Sequence, residues 1–241
     1  MITPPTSAEH DWFAELDLDP ASTWLAMGTR ALGHRPWLIA DDAFDHELGL
    51  KADLCRRRHA EVFAATSGTE HAGNAVLDLV TAAGFDVPSA TGLHPLDRAG
   101  RSVQEDLCLM ERRLDGWYLA AGSVCFPSRW RLADKIDRHV TAVHEPVPGY
   151  RDTLARKVDT LFDRLSERAV WRRNWFVHPD PTLFQPDRPR EDSVVDTSDV
   201  GAGLFVRSER QTLRSIGSGW ILFTIKTQQA PLGSLLADPV F

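Results

Sequence analysis

Hydrophobic and polar positions in the first hundred residues follow helical spacing. Residues 46–66 place Leu48, Leu54 and Val62 at approximately helical intervals. A second helix is predicted within residues 71–84, where Gly84 ends the apolar pattern. We therefore expect residues 1–102 to form a helical and extended N-terminal region that packs on a core formed by residues 103–241.

The pattern changes to short apolar runs after residue 103. Two such runs are separated by Asp115-Gly116, a strong signal for an antiparallel hairpin. Helical spacing follows in residues 128–169. Three further segments are rich in β-branched and aromatic residues and are predicted as strands, residues 170–178, 203–216 and 219–228.

This order of elements predicts an α+β fold. Two strands, then helices, then three strands is the order expected of a PAS-like domain. In such a domain five antiparallel strands form one sheet, and the helices between the second and third strands close a pocket over it. Residues 185–203 are rich in Pro, Asp and Ser, and we predict a loop there.

Composition excludes several classes of protein. Hydrophobic residues make up 43% of the chain and charged residues 25%, which is typical of folded globular proteins rather than disordered ones. The formal net charge of -7 argues against general affinity for nucleic acid. No apolar run approaches the roughly 20 residues that a membrane-spanning helix needs, so we expect a cytoplasmic protein. Three widely spaced cysteines form no CxxC pair, which argues against a zinc or iron–sulfur site.

Four separated blocks of sequence carry a resemblance to a known family. Their irregular composition, including PSRW, HEPVPGY, RNW and ERQTL, does not arise from amphipathic patterning. In this order they resemble the haem-dependent oxidative N-demethylase alpha-subunit-like proteins, and upstream segments such as RPWLIADDAF extend the resemblance over most of the chain. The blocks are residues 104–112, 120–136 with 143–150, 172–178 and 206–216.

The resemblance implies a PAS-fold protein that carries haem b and acts as an oxidoreductase. In that activity the iron of the haem binds dioxygen, and a small secondary amine is oxidised to a primary amine and formaldehyde. Electrons come from NADPH through a separate reductase subunit with flavin and an iron–sulfur cluster. This chain has neither a GxGxxG fingerprint nor a cysteine cluster, so it could supply only the haem-bearing part.

A haem needs an axial ligand, and His144 is our candidate for both iron ligation and cofactor binding. It lies in VHEPVPGY, where the prolines that follow restrict the backbone. A lone histidine is more often structural, and the resemblance favours ligation here. His139 and His178 remain rival ligands.

Strand alternation groups the candidate catalytic residues. Arg172 and Asn174 share one face of a predicted strand, and Arg207, Glu209 and Gln211 share one face of the next. We expect Arg172, Asn174 and Glu209 to face bound dioxygen and the amine, and Arg207 to contact the haem. For Arg173 and Arg210, on the opposite faces, solvent or a haem propionate is equally consistent with the pattern. The alternative is that the Arg–Glu alternation marks a solvated face of the sheet.

Two other functions stay open at this point. A haem-based sensor without turnover would keep the side opposite the iron mostly apolar, because fold alone does not determine chemistry. A relative that has lost haem would bind only an organic ligand and would be colourless. Aromatic residues such as Trp130, Trp171, Trp175, Trp220 and Phe223 could wall a haem, but core packing is the more common role of aromatic residues on strands.

Overall fold

The computed structural model describes six parts of the chain: residues 12–16, 28–143, 155–165, 169–188, 203–217 and 219–236. Within these ranges the protein has an α+β fold, in which helices pack on an antiparallel sheet. The helices found there are all too short or too polar to cross a bilayer.

The sheet contains seven antiparallel strands in the described residues, rather than the five that the sequence predicts. Leu114 and Asp115 join β3 to β4, which form the predicted antiparallel hairpin, and Gly116 is the first residue of β4. Across the sheet the strand order is β1-β5-β6-β7-β3-β4-β2. The strands are β1 (Arg30–Ala31), β2 (Phe63–Ala65), β3 (Asp106–Arg113), β4 (Gly116–Ser123), β5 (Val170–His178), β6 (Phe205–Gly217) and β7 (Trp220–Pro231).

The two additional strands come from the N-terminal region. β1 pairs with β5, where Arg30 lies opposite Trp171, and β2 pairs with β4, where Phe63 lies opposite Ser123. Both are only two or three residues long. Such segments are too short to show an alternating pattern, which explains why the sequence predicted helix through β2.

Seven α-helices are present in the described ranges, and they divide between the two faces of the sheet. Those before β3 include the predicted second helix, here α3. The helices between β4 and β5 cover the other face, where the sequence predicts them. The helices are α1 (Phe44–Arg57), α2 (His59–Val62), α3 (Glu70–Ala82), α4 (Pro95–Gly100), α5 (Val140–Val143), α6 (Ala155–Arg164) and α7 (Leu232–Leu236).

Apolar side chains alternate between the two faces along the central strands. Leu107 and Leu109 join a buried cluster with α3 and α4, whereas Cys108 and Met110 join a second cluster with α5 and α6. This period of two follows from the pleat of a strand. The central strands are therefore buried on both faces, as is usual when helices cover both sides of a sheet.

Helix α1 packs against the sheet through charged side chains. Its buried positions are Glu47, Lys51 and Cys55, one turn apart, and not the leucines of the apolar pattern. Glu47 accepts a hydrogen bond from Lys226 Nζ of β7 at 2.8 Å. Lys51 Nζ lies 3.4 Å from an Asp106 carboxylate oxygen and donates to the Glu105 carbonyl oxygen at 2.6 Å. Each buried charge thus has a partner, which offsets the cost of removing it from water.

Glu105 and Asp106 are adjacent, and both are buried. Asp106 accepts the backbone N–H groups of Cys125 and Phe126 at 2.8 and 2.9 Å. Glu105 Oε1 accepts the N–H of Ile39 at 2.7 Å, and its Oε2 has no hydrogen-bond partner within the described residues. Burial raises the pKa of Glu105 to about 7.

We predict that Glu105→Gln changes how stability depends on pH. The folded pKa of this carboxyl lies above its unfolded value, so its favourable contribution is complete below the unfolded pKa and is lost as pH rises through the folded pKa. Between pH 5 and 8 the free energy of unfolding of the native protein should fall by roughly 2–3 kcal/mol relative to the variant. Urea unfolding across this range measures the difference, and parallel curves for the two proteins would contradict it.

Candidate functional site

A cavity of about 700 Å³ lies between the sheet and the helices that follow β4. Strands β3 to β7 form its floor, and α5 and α6 contribute its opposite side. Most of the wall is apolar, as is usual for sites that hold small molecules or cofactors. The apolar lining consists of Cys108, Met110, Leu119, Trp130, Val140, Val143, Val158, Leu161, Phe162, Phe176, Leu213, Phe223 and Ile225.

Polar side chains enter this cavity from β5 and β6. Arg172 and Asn174 line it from β5, and Glu209 and Gln211 line it from β6. Asn174 pairs with Glu209 and Arg172 with Gln211 in the strand register. The four side chains thus form one polar patch on an otherwise apolar floor. Their catalytic role stays a prediction.

The alternative of a solvated strand face is wrong for the central part of β6. Arg207, Ser208, Glu209 and Arg210 are all buried, whichever face of the strand they occupy. Helices and loops cover both sides of the sheet here, so alternation of charged residues does not indicate exposure.

The charges in the cavity influence one another. Burial lowers the pKa of Arg172, and the nearby Glu209 carboxylate opposes that effect. Burial also lowers the pKa of Lys135 to about 8, again opposed by Glu209 among other groups. Glu209 itself is held by Gln211, whose Nε2 donates to Oε2 at 2.9 Å. One buried carboxylate therefore faces two partly desolvated cations.

The segment that follows β4 brings three consecutive side chains to the cavity. Ser128, Arg129 and Trp130 all line it. Arg129 adopts a left-handed backbone conformation with φ of 62°, which is uncommon for a residue with a side chain. Its backbone N–H donates to the carbonyl oxygen of Gln185 at 2.6 Å. Neighbouring structure therefore holds this conformation in place.

Arg207 holds the segment that contains Ser128 through hydrogen bonds. Its side chain is fully buried, and Nε donates to Ser128 Oγ at 2.9 Å. Nη2 donates to the carbonyl oxygens of Phe126 at 2.9 Å and Leu183 at 3.1 Å, and Nη1 donates to that of Thr182 at 3.2 Å. We call these contacts the Arg207 clamp, since they join residues 126–128 to residues 182–183. Arg207 is outside the cavity lining, and its predicted contact with haem stays untested.

Arg173 and Arg210 lie on the other face of the sheet, away from the cavity. Arg173 pairs with Glu15 at 2.8 Å, and Arg210 Nη2 donates to the Pro36 carbonyl oxygen at 2.7 Å. Arg210 is buried, and Arg173 is largely enclosed by its partners. Neither position offers the solvent contact considered above, and the haem contact predicted for Arg210 stays untested.

The candidate iron ligand His144 lies outside the described residues. Val143, which precedes it directly in the chain, lines the cavity together with Val140. The two rival ligands are absent from the described lining. His139 accepts the Thr141 N–H at 3.1 Å at the start of α5. His178 is buried near Gln185, and burial together with Arg207 lowers its pKa to about 4.

A comparison with known protein families identifies the chain. Residues 58–241 match the model described as haem-dependent oxidative N-demethylase, alpha subunit-like. The chain belongs to this family. The match covers most of the sequence and includes every described strand except β1.

Four further residues line the cavity of this N-demethylase-family protein, and the sequence analysis did not predict them there. Lys135, Arg129 and Arg188 add positive charge to its lining, and Cys108 adds a thiol. Burial raises the pKa of Cys108 to about 12, so the thiol is neutral at physiological pH. Arg129 and Lys135 lie within the block of residues 120–136 that carries the family resemblance. Their place in that block is the one sequence feature that could have pointed to them.

We predict that Arg207→Met destabilises this N-demethylase-family protein strongly. The substitution leaves several buried carbonyl groups without a donor, and the free energy of unfolding should fall by about 3–5 kcal/mol. Arg214→Met, on the same strand at a half-buried position, is the matched control and should change it by less than about 1 kcal/mol. Equal effects of the two substitutions in urea unfolding would show that the Arg207 clamp is not important for stability.

Proposed function

We propose that this protein is the haem-bearing subunit of an oxidative N-demethylase. The observation that carries the proposal is the cavity of about 700 Å³, which combines a mostly apolar wall with one polar patch. Family membership supports the same reading, since the family description names haem dependence and an alpha subunit. The PAS-like character of the fold is part of this proposal.

The residues present fit a haem. The cavity volume lies in the usual range for cofactor sites, about 300–1,000 Å³. Asn174 Oδ1 is buried and has no hydrogen-bond partner in the described part of the chain, so it could accept a hydrogen bond from the N–H of an amine substrate held beside the haem. Arg129 and Arg188 line the cavity, and Arg188 is exposed, which places it at the opening. These two guanidinium groups would hold the haem propionates, which are anionic and remain hydrated.

His144 would supply the axial ligand. It directly follows Val143 in the sequence, and Val143 lines the cavity. Cys108 is a poor alternative, because metal binding requires a thiolate and burial keeps its thiol protonated. The haem would be of type b, since the chain has no CxxCH attachment motif.

When bound, the haem would supply oxygen activation, and the balanced reaction consumes a secondary N-methylamine, dioxygen, two electrons and two protons. Its products are the primary amine, formaldehyde and water. The Arg172 guanidinium and the Asn174 amide N–H groups would donate hydrogen bonds to dioxygen. The Glu209 carboxylate would accept a hydrogen bond from the protonated amine. The apolar wall would exclude bulk water around these groups, which strengthens their electrostatic effect.

Electrons would come from a separate reductase subunit that carries flavin and an iron–sulfur cluster and oxidises NADPH. The family description as an alpha subunit supports a complex of several chains. A haem-based sensor is the less favoured function, because Arg172, Lys135 and Glu209 give the cavity more charge than an apolar gas site needs.

We predict that His144→Ala abolishes or alters haem binding. Loss of the axial bond should remove the haem or change its spin state, which the absorption spectrum of protein reconstituted with haem reports directly. His34→Ala, at an exposed position, is the matched control and should bind one haem per chain with the native spectrum. An unchanged spectrum for His144→Ala would refute the assignment of the ligand.

A second prediction concerns turnover. Arg172→Ala and Glu209→Gln should each lower the rate of formaldehyde release by roughly a hundred- to a thousandfold, because each removes a charged group from a water-poor site. Haem content should stay unchanged in both variants. Arg56→Ala, an exposed change on α1, controls for loss of a charge elsewhere. Normal turnover by the two cavity variants, with electrons supplied externally, would exclude these residues from the reaction.

A further inference from the structure

The cavity carries more positive charge than a haem and a simple amine would balance. Within the described lining, four side chains are cationic and only Glu209 is anionic. Two of the cations, Arg129 and Arg188, suffice for the two propionates of a haem. The other two, Lys135 and Arg172, share Glu209 as the one carboxylate of the described lining, and Lys135 has the exposed Asp134 as a further anionic neighbour outside that lining.

Lys135 and Arg172 are both removed from water to a considerable extent. Each loses hydration in the cavity, and each is stabilised electrostatically by the same Glu209 carboxylate. Buried charges that lack a full partner are costly, so this arrangement favours a ligand that brings a second anion.

Lys135 lies beside the apolar wall of the cavity. Its Nζ lies 4.6 Å from the ring centroid of Trp130, which is a cation–π contact. The ammonium N–H groups that do not face the ring would be available for an acceptor in the cavity, which Lys135 lines. The Cys108 thiol nearby is neutral and cannot serve as the counter-ion.

A protonated amine adds a positive charge to this site, and Glu209 would be drawn towards it. Lys135 and Arg172 would then be left without their shared carboxylate. An amine that carries its own carboxylate resolves this conflict, because its ammonium pairs with Glu209 and its carboxylate pairs with the cations. Dimethylamine offers only the first of these contacts.

We propose that the substrate is an N-methylated amino acid, and that Lys135 binds its carboxylate and sets this specificity. The inference rests on the proposed function for the identity of the reacting group. N-methylglycine is the smallest N-methylated amino acid, and it is the probe for the test.

Isothermal titration calorimetry of the haem-loaded protein tests the proposal. N-methylglycine should bind at least tenfold more tightly than dimethylamine or N-methylglycinamide, which lack the carboxylate. Lys135→Met should weaken N-methylglycine binding by about tenfold to a hundredfold and leave N-methylglycinamide binding unchanged. Lys135→Arg should retain the preference, and Arg56→Met, an exposed change, should behave like the native protein.

The haem content of each variant distinguishes a failure of this proposal from a failure of the proposed function. If Lys135→Met loses haem affinity while the preference for N-methylglycine persists, Lys135 holds a propionate and the proposal is wrong. Equal affinity of the native protein for the three probes also overturns it. A chain that takes up no haem but prefers N-methylglycine through Lys135 would refute the proposed function and leave the carboxylate site standing.

Discussion

The Arg207 guanidinium has no access to water, so its N–H groups require acceptors within the protein. It finds them in the carbonyl groups of residues 126–127 and 182–183 and in Ser128 Oγ. This requirement fixes two loops that have no regular structure of their own. One of them carries Arg129 and Trp130 to the cavity, and the left-handed backbone at Arg129 is tolerated because the segment on either side is held.

The sheet separates two kinds of buried polar chemistry. On one face Lys226 and Glu47 form an ion pair that joins α1 to β7, and Arg173 pairs with Glu15. Glu105 Oε2 and two nitrogen atoms of Arg210 on that face have no hydrogen-bond partner in the described residues. On the cavity face Arg172 and Lys135 share Glu209, and Asn174 Oδ1 lacks a partner in the described residues. Paired charges stabilise a fold, whereas incompletely paired charges in a cavity are available to a ligand. We place function on the second face, because the cavity of about 700 Å³ lies there.

Features that follow from local sequence patterns could be predicted, whereas features that depend on tertiary contacts could not. The hairpin at Asp115-Gly116 and the shared face of Arg172 and Asn174 follow from local geometry. The buried face of α1 does not, because Glu47 and Lys51 are charged and their partners lie far along the chain. The proximity of Lys135 to Glu209 could not be predicted either, since only the folded chain brings them together.

The central claim is that the cavity between the sheet and helices α5 and α6 holds the haem. Crystals of haem-loaded protein measured near the iron absorption edge would locate the metal by its anomalous scattering. We expect a single iron peak inside the cavity, within the space bounded by Leu119, Val143 and Phe223. An iron peak outside this space, for example beside the buried ring of His178, would contradict the account.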